Sequence, residues 1–357
     1  MSRHKKEPLS YEYVLKYIFW IKKIAIFDFT LAKSYKTLWY FIMLWKLFLT
    51  SIQFYLFILI LPVMDDMHLK ALEKYIYYAI HVLNLFVCCV LIFFNSESYM
   101  KSGNAILSRY NLKRKDTIFL RIRRCILIEY LIEEFILYWK IFRIILNVQM
   151  NVAMTAQTIF FMYGDIIVNL TATEFSCSLI TLAIFALKFH ENFRNTRELD
   201  NNSSYYIESC KEICSSGKKI FESFSNVIIL LLFLYFLMVT YIILSLKLSL
   251  FEVTKDGSVK YYWALLSILR VCKIIIGCSM FSLAINQMMD FLKSSITKMS
   301  DKDRKQVKFF LLERLHEPSI LEIKKCLQFD GGLLYSAIGA ITTYAVILFQ
   351  LDELQTS

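Results

Sequence analysis

The stretch Thr342-Thr343-Tyr344-Ala345-Val346-Ile347-Leu348-Phe349-Gln350-Leu351 places a Thr-Tyr pair, five apolar residues and a Gln in one hydrophobic run. Lipid offers no partner to a polar side chain, so a Gln at that depth must face protein or water. The run therefore reads as a membrane helix with one face turned away from lipid.

The rest of the chain agrees. Its 357 residues are 57% hydrophobic and 16% aromatic, with only 3 Pro and 8 Gly. A soluble domain is nearer 45–50% apolar, so the excess predicts an all-α polytopic membrane protein. Seven segments approach the roughly 20 residues that a spanning helix needs. They are Leu38–Leu61, Ile76–Phe94, Ile126–Val148, Thr155–Leu187, Asn226–Leu248, Tyr262–Asn286 and Leu333–Leu351. No cleavable signal peptide is visible in the first 37 residues, so the first span is expected to act as the insertion signal.

Alternate connections differ sharply in basic residues. The stretches 1–37, 95–125, 188–225 and 287–325 hold eight, eight, six and nine Lys or Arg, whereas the opposite set holds only Lys70, Lys74, Lys255 and Lys260. Basic loops stay cytoplasmic, which predicts an N-terminus inside and a C-terminus outside. Apolar residues at helical spacing in 205–225 and 301–317, such as Val307, Phe310, Leu311 and Leu315, predict helices that continue beyond the lipid. Pro318 marks the expected break before the last span.

On the last helix, Gly339, Thr343, Ile347 and Gln350 fall within about 80° of arc, while Tyr344 projects from a neighbouring face. Such a stripe serves either close helix packing or, in several copies around an axis, a water-filled path closed by an apolar ring. Spacing alone does not choose between them.

The Thr-Tyr, five-hydrophobe, Gln pattern resembles the C-terminal signature of insect gustatory receptors. The likeness continues upstream through Phe329-Asp330-Gly331-Gly332-Leu333-Leu334-Tyr335-Ser336-Ala337-Ile338-Gly339-Ala340. Gustatory receptors and the related odorant co-receptor are tetrameric cation channels whose last helices line a shared pore. The resemblance implies gate residues at Ile347, Gln350 and Leu351, which with Thr343 make up the expected pore and gate set, Tyr344 and Gly339 supporting it. It also implies one integral domain with a cytoplasmic segment 1–37, a six-helix ligand-binding bundle 38–286, a cytoplasmic helical anchor 287–332 and a pore helix 333–351. Leu351 departs from the Phe common in the family, and Ala345 stands where sugar-clade members tend to carry Glu. The second departure favours a bitter or other non-sugar tastant. The implied setting is the plasma membrane of a sensory neuron, as a homo- or heterotetramer.

The third span carries a second constellation. Glu129, Glu133, Lys140, Arg143 and Asn147 lie within about ±40° of one direction, with Glu134 pointing elsewhere. Charges in a membrane helix face the bundle interior, where they pair or line a cavity. Pairing with Asp165, Arg270 or Lys273 on other helices is the more common outcome. The resemblance places the ligand pocket in the outer half of the bundle, which makes Tyr77, His81, Asn84, Tyr138, Lys140, Arg143, Asn147, Gln157, Tyr163, Tyr241, Trp263 and Arg270 the candidates. His81 alone on an apolar span is more often a satisfied structural residue than a ligand contact, and Trp263 equally suits an interfacial anchor.

Other functions lack their chemistry. The net charge of +11 lies between spans, where it sets orientation, and no zinc-finger spacing, Walker loop or dinucleotide fingerprint appears. Nucleic acid is excluded as a partner. None of His4, His68, His81, His190 and His316 stands at metal-site spacing from a carboxylate, and Cys210 and Cys214 have no second pair of ligands nearby. No metal or cofactor is expected, and no catalytic nucleophile accompanies Glu129 and Glu133. A G-protein-coupled receptor would need the opposite orientation, exposing Asn201 and Asn202 to glycosylation. A transporter would normally show repeated halves or Gly/Pro-broken helices.

Overall fold

In the computed structural model the described residues are 11–26, 36–66, 71–93, 103–107, 121, 124–125, 128–135, 138–139, 152–195, 199–249, 257–316, 321–323 and 327–328. In the last segment they are 332–333, 335–336, 339–340, 342–343, 346–347 and 350. The labelled helices are α1 (Tyr11–Val14), α2 (Lys16–Ile26), α3 (Lys36–Asp66), α4 (Ala71–Phe93), α5 (Val152–Asn195), α6 (Leu199–Ser249), α7 (Gly257–Ser295) and α8 (Asp301–His316). Residues 128–135 and every described position from 332 to 350 are also helical. Among the described residues the one β element is an antiparallel pair, β1 (Glu322–Ile323) with β2 (Leu327–Gln328), in which Ile323 faces Leu327.

Five of these helices are long and apolar enough to cross a membrane: Tyr40–Pro62, Lys74–Phe93, Met162–Arg194, Ser204–Ile243 and Leu265–Ser295. They match five of the seven expected spans. The protein is an all-α, multi-pass membrane protein. At 1.5 Å per residue, the 44 residues of α5 and 51 of α6 reach roughly 65 and 75 Å, against a hydrocarbon core of about 30 Å. Both must project well past the lipid. The basic stretch 188–225 is thus mostly helix, and only 196–198 separate α5 from α6. Helix α8 ends at His316, two residues before Pro318.

Helix α5 is the central post. Its apolar window is 83% buried, against 17% for α3, and α2, α3, α4, α6 and α7 all pack on it. Buried residues of α5 are largely small or polar: Ala172, Thr173, Ser176, Ser178 and Thr181 have essentially no exposure. Small side chains let neighbouring backbones approach, a common solution in membranes where apolar burial alone drives little association. Gly277 of α7 shows the result, since a Cβ there would stand 2.9 Å from the Ser176 Cα. The hydroxyls of Ser178 and Thr181 donate to the carbonyls of Glu174 and Cys177, each 2.7 Å away, and so meet lipid or protein already satisfied.

Within their membrane-length windows, α6 and α7 interlock through Gly217 and Phe281. A Cβ on Gly217 would fall 2.1 Å from the Phe281 ring, which is fully buried and has nowhere to swing. Gly217→Ala is expected to push the helices apart and destabilise the fold by about 1–3 kcal/mol, the usual range for overpacking. Thermal melting of the purified protein reads this directly. An unchanged midpoint would mean the two helices are not held at this spacing.

The 3-10 turn Ile296–Lys298 leads into α8, whose start is written in the sequence. Ser300 Oγ accepts from the Asp303 N–H at 3.2 Å and donates to the Asp303 carboxylate at 2.7 Å. Asp301 and Asp303 also place negative charge on the positive end of the helix.

Two features were not expected from the sequence. The first is the β1–β2 pair. The second is the N-terminal segment, where Val14, Leu15, Ile18 and Lys22 are buried and α2 packs on α5. Positions 14, 18 and 22 recur at four-residue intervals, which gives α1 and α2 a shared inward face. Tyr17 and Trp20 remain exposed on the other side.

Candidate functional site

Four helices converge on a cluster of rings. Tyr77 and His81 lie one turn apart on α4, their ring centroids 4.3 Å apart and edge-on. Tyr77 also meets Tyr241 of α6 at 5.3 Å. His81 stacks parallel to Phe160 of α5 at 6.3 Å, and Phe160 in turn meets Phe57 of α3 at 6.3 Å. Ile60, Leu85 and Phe160 form the buried heart of this cluster. His81 is fully buried, with Nδ1 2.9 Å from the Tyr77 carbonyl, the position of an N–H donating to the turn before it. Such a cluster supplies flat apolar walls with a few polar edges, the usual lining of a small-molecule site.

One turn further along α4 and α5 the surroundings become polar. Gly164 of α5 lies against Asn84, since a Cβ at Gly164 would stand 2.8 Å from Asn84 Nδ2 and 2.9 Å from Cys88 Sγ. Asp165, next in sequence, receives a two-pronged contact from Arg270 of α7. Arg270 Nη1 donates to Asp165 Oδ1, and Nη2 donates to Oδ2 at 2.7 Å. Both side chains are buried. A bidentate guanidinium–carboxylate pair is among the strongest polar contacts a protein makes, and in a low-dielectric bundle it locks α5 to α7.

A second layer follows at the next turn. Lys273 Nζ reaches Glu129 Oε1 at 2.8 Å, Glu133 Oε2 at 3.1 Å and Thr173 Oγ1 at 3.1 Å. Asn169 Nδ2 donates to Glu134 Oε1 at 2.9 Å. Asp165, Asn169 and Thr173 are spaced by four on α5, while Glu129 and Glu133 are spaced by four on the stretch 128–135. Two helical stripes therefore face each other, with Arg270 and Lys273 of α7 between them. Deeper along α5, Lys22 of α2 pairs with the fully buried Glu174.

The ion-pairing expectation for Glu129 and Glu133 thus meets Lys273, while Arg270 takes Asp165. Of the other candidates, Tyr163 is half-buried on α5, Tyr138 is exposed, and Gln157 and Trp263 fall on α5 and α7. Lys140, Arg143, Asn147, Tyr344 and Leu351 lie outside the described residues. Sequence reasoning missed Tyr235, Asn169, Thr173, Glu174 and Lys22. The four-residue spacing of Asp165, Asn169 and Thr173 was the available signal for two of them.

In the last segment, Gly339, Thr343, Ile347 and Gln350 are helical and exposed. Thr343 Oγ1 donates to the Gly339 carbonyl at 2.9 Å. Among the described residues, nothing lies within 4 Å of where a Gly339 Cβ would be. Among the described residues, close packing does not account for that glycine.

A family model described as 7tm Chemosensory receptor matches residues 17–355. No curated protein matches the chain in sequence. Among solved structures, the insect olfactory receptor OR5 from Machilis hrabei aligns with a TM-score of 0.60, covering 95% of this chain and 100% of that one at 15% identity. At that identity the likeness is one of fold.

Proposed function

The chain belongs to the 7tm chemosensory receptor family, and from that premise we propose a tetrameric, ligand-gated, non-selective cation channel of the gustatory type. Its agonist is a small non-sugar molecule, a bitter compound being the leading class. The N-terminus lies in the cytoplasm and the C-terminus outside, in the plasma membrane of a sensory cell. The ligand site is the aromatic cluster of Tyr77, His81, Phe160 and Tyr241. The gate is the face of the last helix carrying Thr343, Ile347, Gln350 and Leu351.

One observation carries the channel reading. The last membrane helix shows small and polar side chains, Ser336, Gly339, Thr342, Thr343 and Gln350, on an exposed face. Lipid does not accommodate a Gln there, so that face requires water or another copy of the chain. Fourfold assembly supplies both, with polar groups on the axis and Ile347 as an apolar constriction that closes by dewetting. A ligand opens such a gate only by binding the open state more tightly than the closed one. Helix α5, which touches the aromatic cluster and both charged layers, is the physical connection available within the bundle.

The test is whole-cell recording in cells lacking native receptors, with a broad tastant panel and no added G protein. Agonist-evoked cation current that persists under G-protein blockade is expected. An epitope before Ser2 should be hidden in intact cells and one after Ser357 exposed. Glycan on Asn201 or Asn202 with agonist responses that depend on G protein would replace the channel reading by a metabotropic one.

A further inference from the structure

The N-terminal helices have two unlike faces. Val14 and Leu15 of α1 and Ile18 and Lys22 of α2 are buried where this segment packs on α5. Lys16, Tyr17 and Trp20 of α2 are exposed, Trp20 to 62%. The 11 residues of α2 reach about 16 Å, half of what a hydrocarbon core requires, so α2 does not span. Its depth follows from its contact with α5. In the orientation proposed above, α5 and α7 both enter from the outer face. Glu174 stands 22 residues beyond the start of α5 at Val152, about 33 Å along the axis. Gly277 stands 20 residues beyond the start of α7 at Gly257, about 30 Å along the axis. The two helices touch at Ser176 and Gly277, so both lengths place one level near the end of a core about 30 Å thick. Helix α6 agrees. Its Gly217 packs on Phe281, one turn past Gly277, and the adjacent Lys218 and Lys219 are exposed, which lipid does not tolerate. The Lys22–Glu174 pair therefore lies at the cytoplasmic edge of the lipid. Lys16, Tyr17 and Trp20 lie within about 9 Å of Lys22 along α2, at the depth of the headgroups.

We propose that the outer face of α2 is a docking surface for anionic lipid headgroups of the cytoplasmic leaflet. Tyr and Trp rings have an apolar body and a polar tip, which suits them to the boundary between acyl chains and headgroups. The Lys16 ammonium stands beside them, placed to meet phosphate and carboxylate oxygens. The charge of the segment has the matching sign. Residues 1–37 carry eight Lys or Arg against only Glu7, Glu12 and Asp28, and an anionic leaflet attracts such a segment. Lys22 is used differently, since its charge is taken up by Glu174. One face of α2 is thus held by the protein through an ion pair, and the other is held by lipid. Helix α5 also carries Phe160 of the aromatic cluster and Asp165, Asn169 and Thr173 of the charged layers. Lipid seated on α2 therefore bears on the same post that joins those sites.

The proposal rests on the orientation given above, not on the channel reading, and two measurements test it. Full-length receptor is reconstituted in phosphatidylcholine vesicles whose lipid is brominated either just below the headgroup or near the acyl end. Subtracting the emission of Trp20→Phe from that of the wild type isolates Trp20 from the other tryptophans. Shallow bromine is expected to quench this difference more strongly than deep bromine. The second measurement concerns charge. In nonionic detergent, dioctanoyl phosphatidylserine is expected to raise the melting temperature at concentrations where dioctanoyl phosphatidylcholine and O-phosphoserine do not. Lys16→Gln should raise the phosphatidylserine concentration required about fivefold, the usual worth of one surface cation near anionic lipid. Lys16 and Trp20 are exposed, so neither substitution opens the core. Stronger quenching by deep bromine overturns the proposal by placing Trp20 in the hydrocarbon. Absence of quenching overturns it by giving the face to water, a second copy or a soluble protein. So does a phosphatidylserine effect that is absent, matched by either control compound, or untouched by Lys16→Gln. An epitope before Ser2 exposed on intact cells removes the orientation, yet leaves the quenching depth and lipid preference as measured, so the two failures are distinguishable.

Discussion

Replacing Arg270 with Leu is expected to empty the cell surface of this receptor. The substitution leaves the Asp165 carboxylate buried between α5 and α7 with no cation at its oxygens. Breaking a buried pair in this way costs about 3–5 kcal/mol, a large share of the 5–15 kcal/mol that holds an ordinary domain together. The converse variant, Asp165→Leu, strands the guanidinium and should fail similarly. The informative variant is the double one. With both charges removed no ion remains to be desolvated, and apolar replacements of similar volume are often neutral or stabilising. Asp165→Leu with Arg270→Leu should therefore regain much of the surface level and melting temperature lost by each single change. Surface biotinylation and melting of purified protein read both quantities. Wild-type delivery of Arg270→Leu would mean that the pair is not desolvated.

The parts of the fold that sequence made legible are those governed by composition over many residues. The apolar windows of α3, α4, α5, α6 and α7 each exceed a bilayer's requirement, and a bilayer tolerates few other answers. Extension of α6 below the expected span was visible because the apolar residues of 205–225 repeat at helical spacing. The ionic layers were legible only in part. Charges on the third span had to be paired or hydrated, so Asp165, Arg270 and Lys273 were evident partners, but spacing along one helix does not say which partner lies opposite. That depends on the rotation of α7 against α5, fixed by small contacts such as Gly277 on Ser176.

The N-terminal helix shows a different limit. Four inward residues across α1 and α2 are too few for a periodic signal against a basic background, and Lys22 reads as one more cytoplasmic charge. Only the surplus carboxylate of Glu174 calls for it, and that demand arises from tertiary packing. Tyr235 was missed for a similar reason. Tyrosines are frequent here, and nothing local distinguishes one beside an arginine from one facing lipid.

At Gln350 the expected effect is electrostatic and large. If four last helices surround the axis, Gln350→Lys places four ammonium groups around the ion path. At about 6 Å from the axis, each raises the energy of a passing monovalent cation by about 0.7 kcal/mol even at the dielectric constant of water. Four together oppose entry by roughly 3 kcal/mol, on the order of a hundredfold in cation flux. Added salt screens the lysines and should restore part of the current, which a folding defect would not show. Trimming the apolar ring acts oppositely. Ile347→Ala and Leu351→Ala widen the constriction, so water occupies it at rest and agonist-free leak should rise. On a helical wheel Tyr344 falls off the stripe of Gly339, Thr343, Ile347 and Gln350, so Tyr344→Phe should leave conductance unchanged. Single-channel recording with surface levels measured in parallel resolves these effects. Unaltered conductance, selectivity and gating in all three axial variants would place the ion path elsewhere. The exposed Gly339–Thr343–Gln350 face would then be a packing surface for a second copy of the chain.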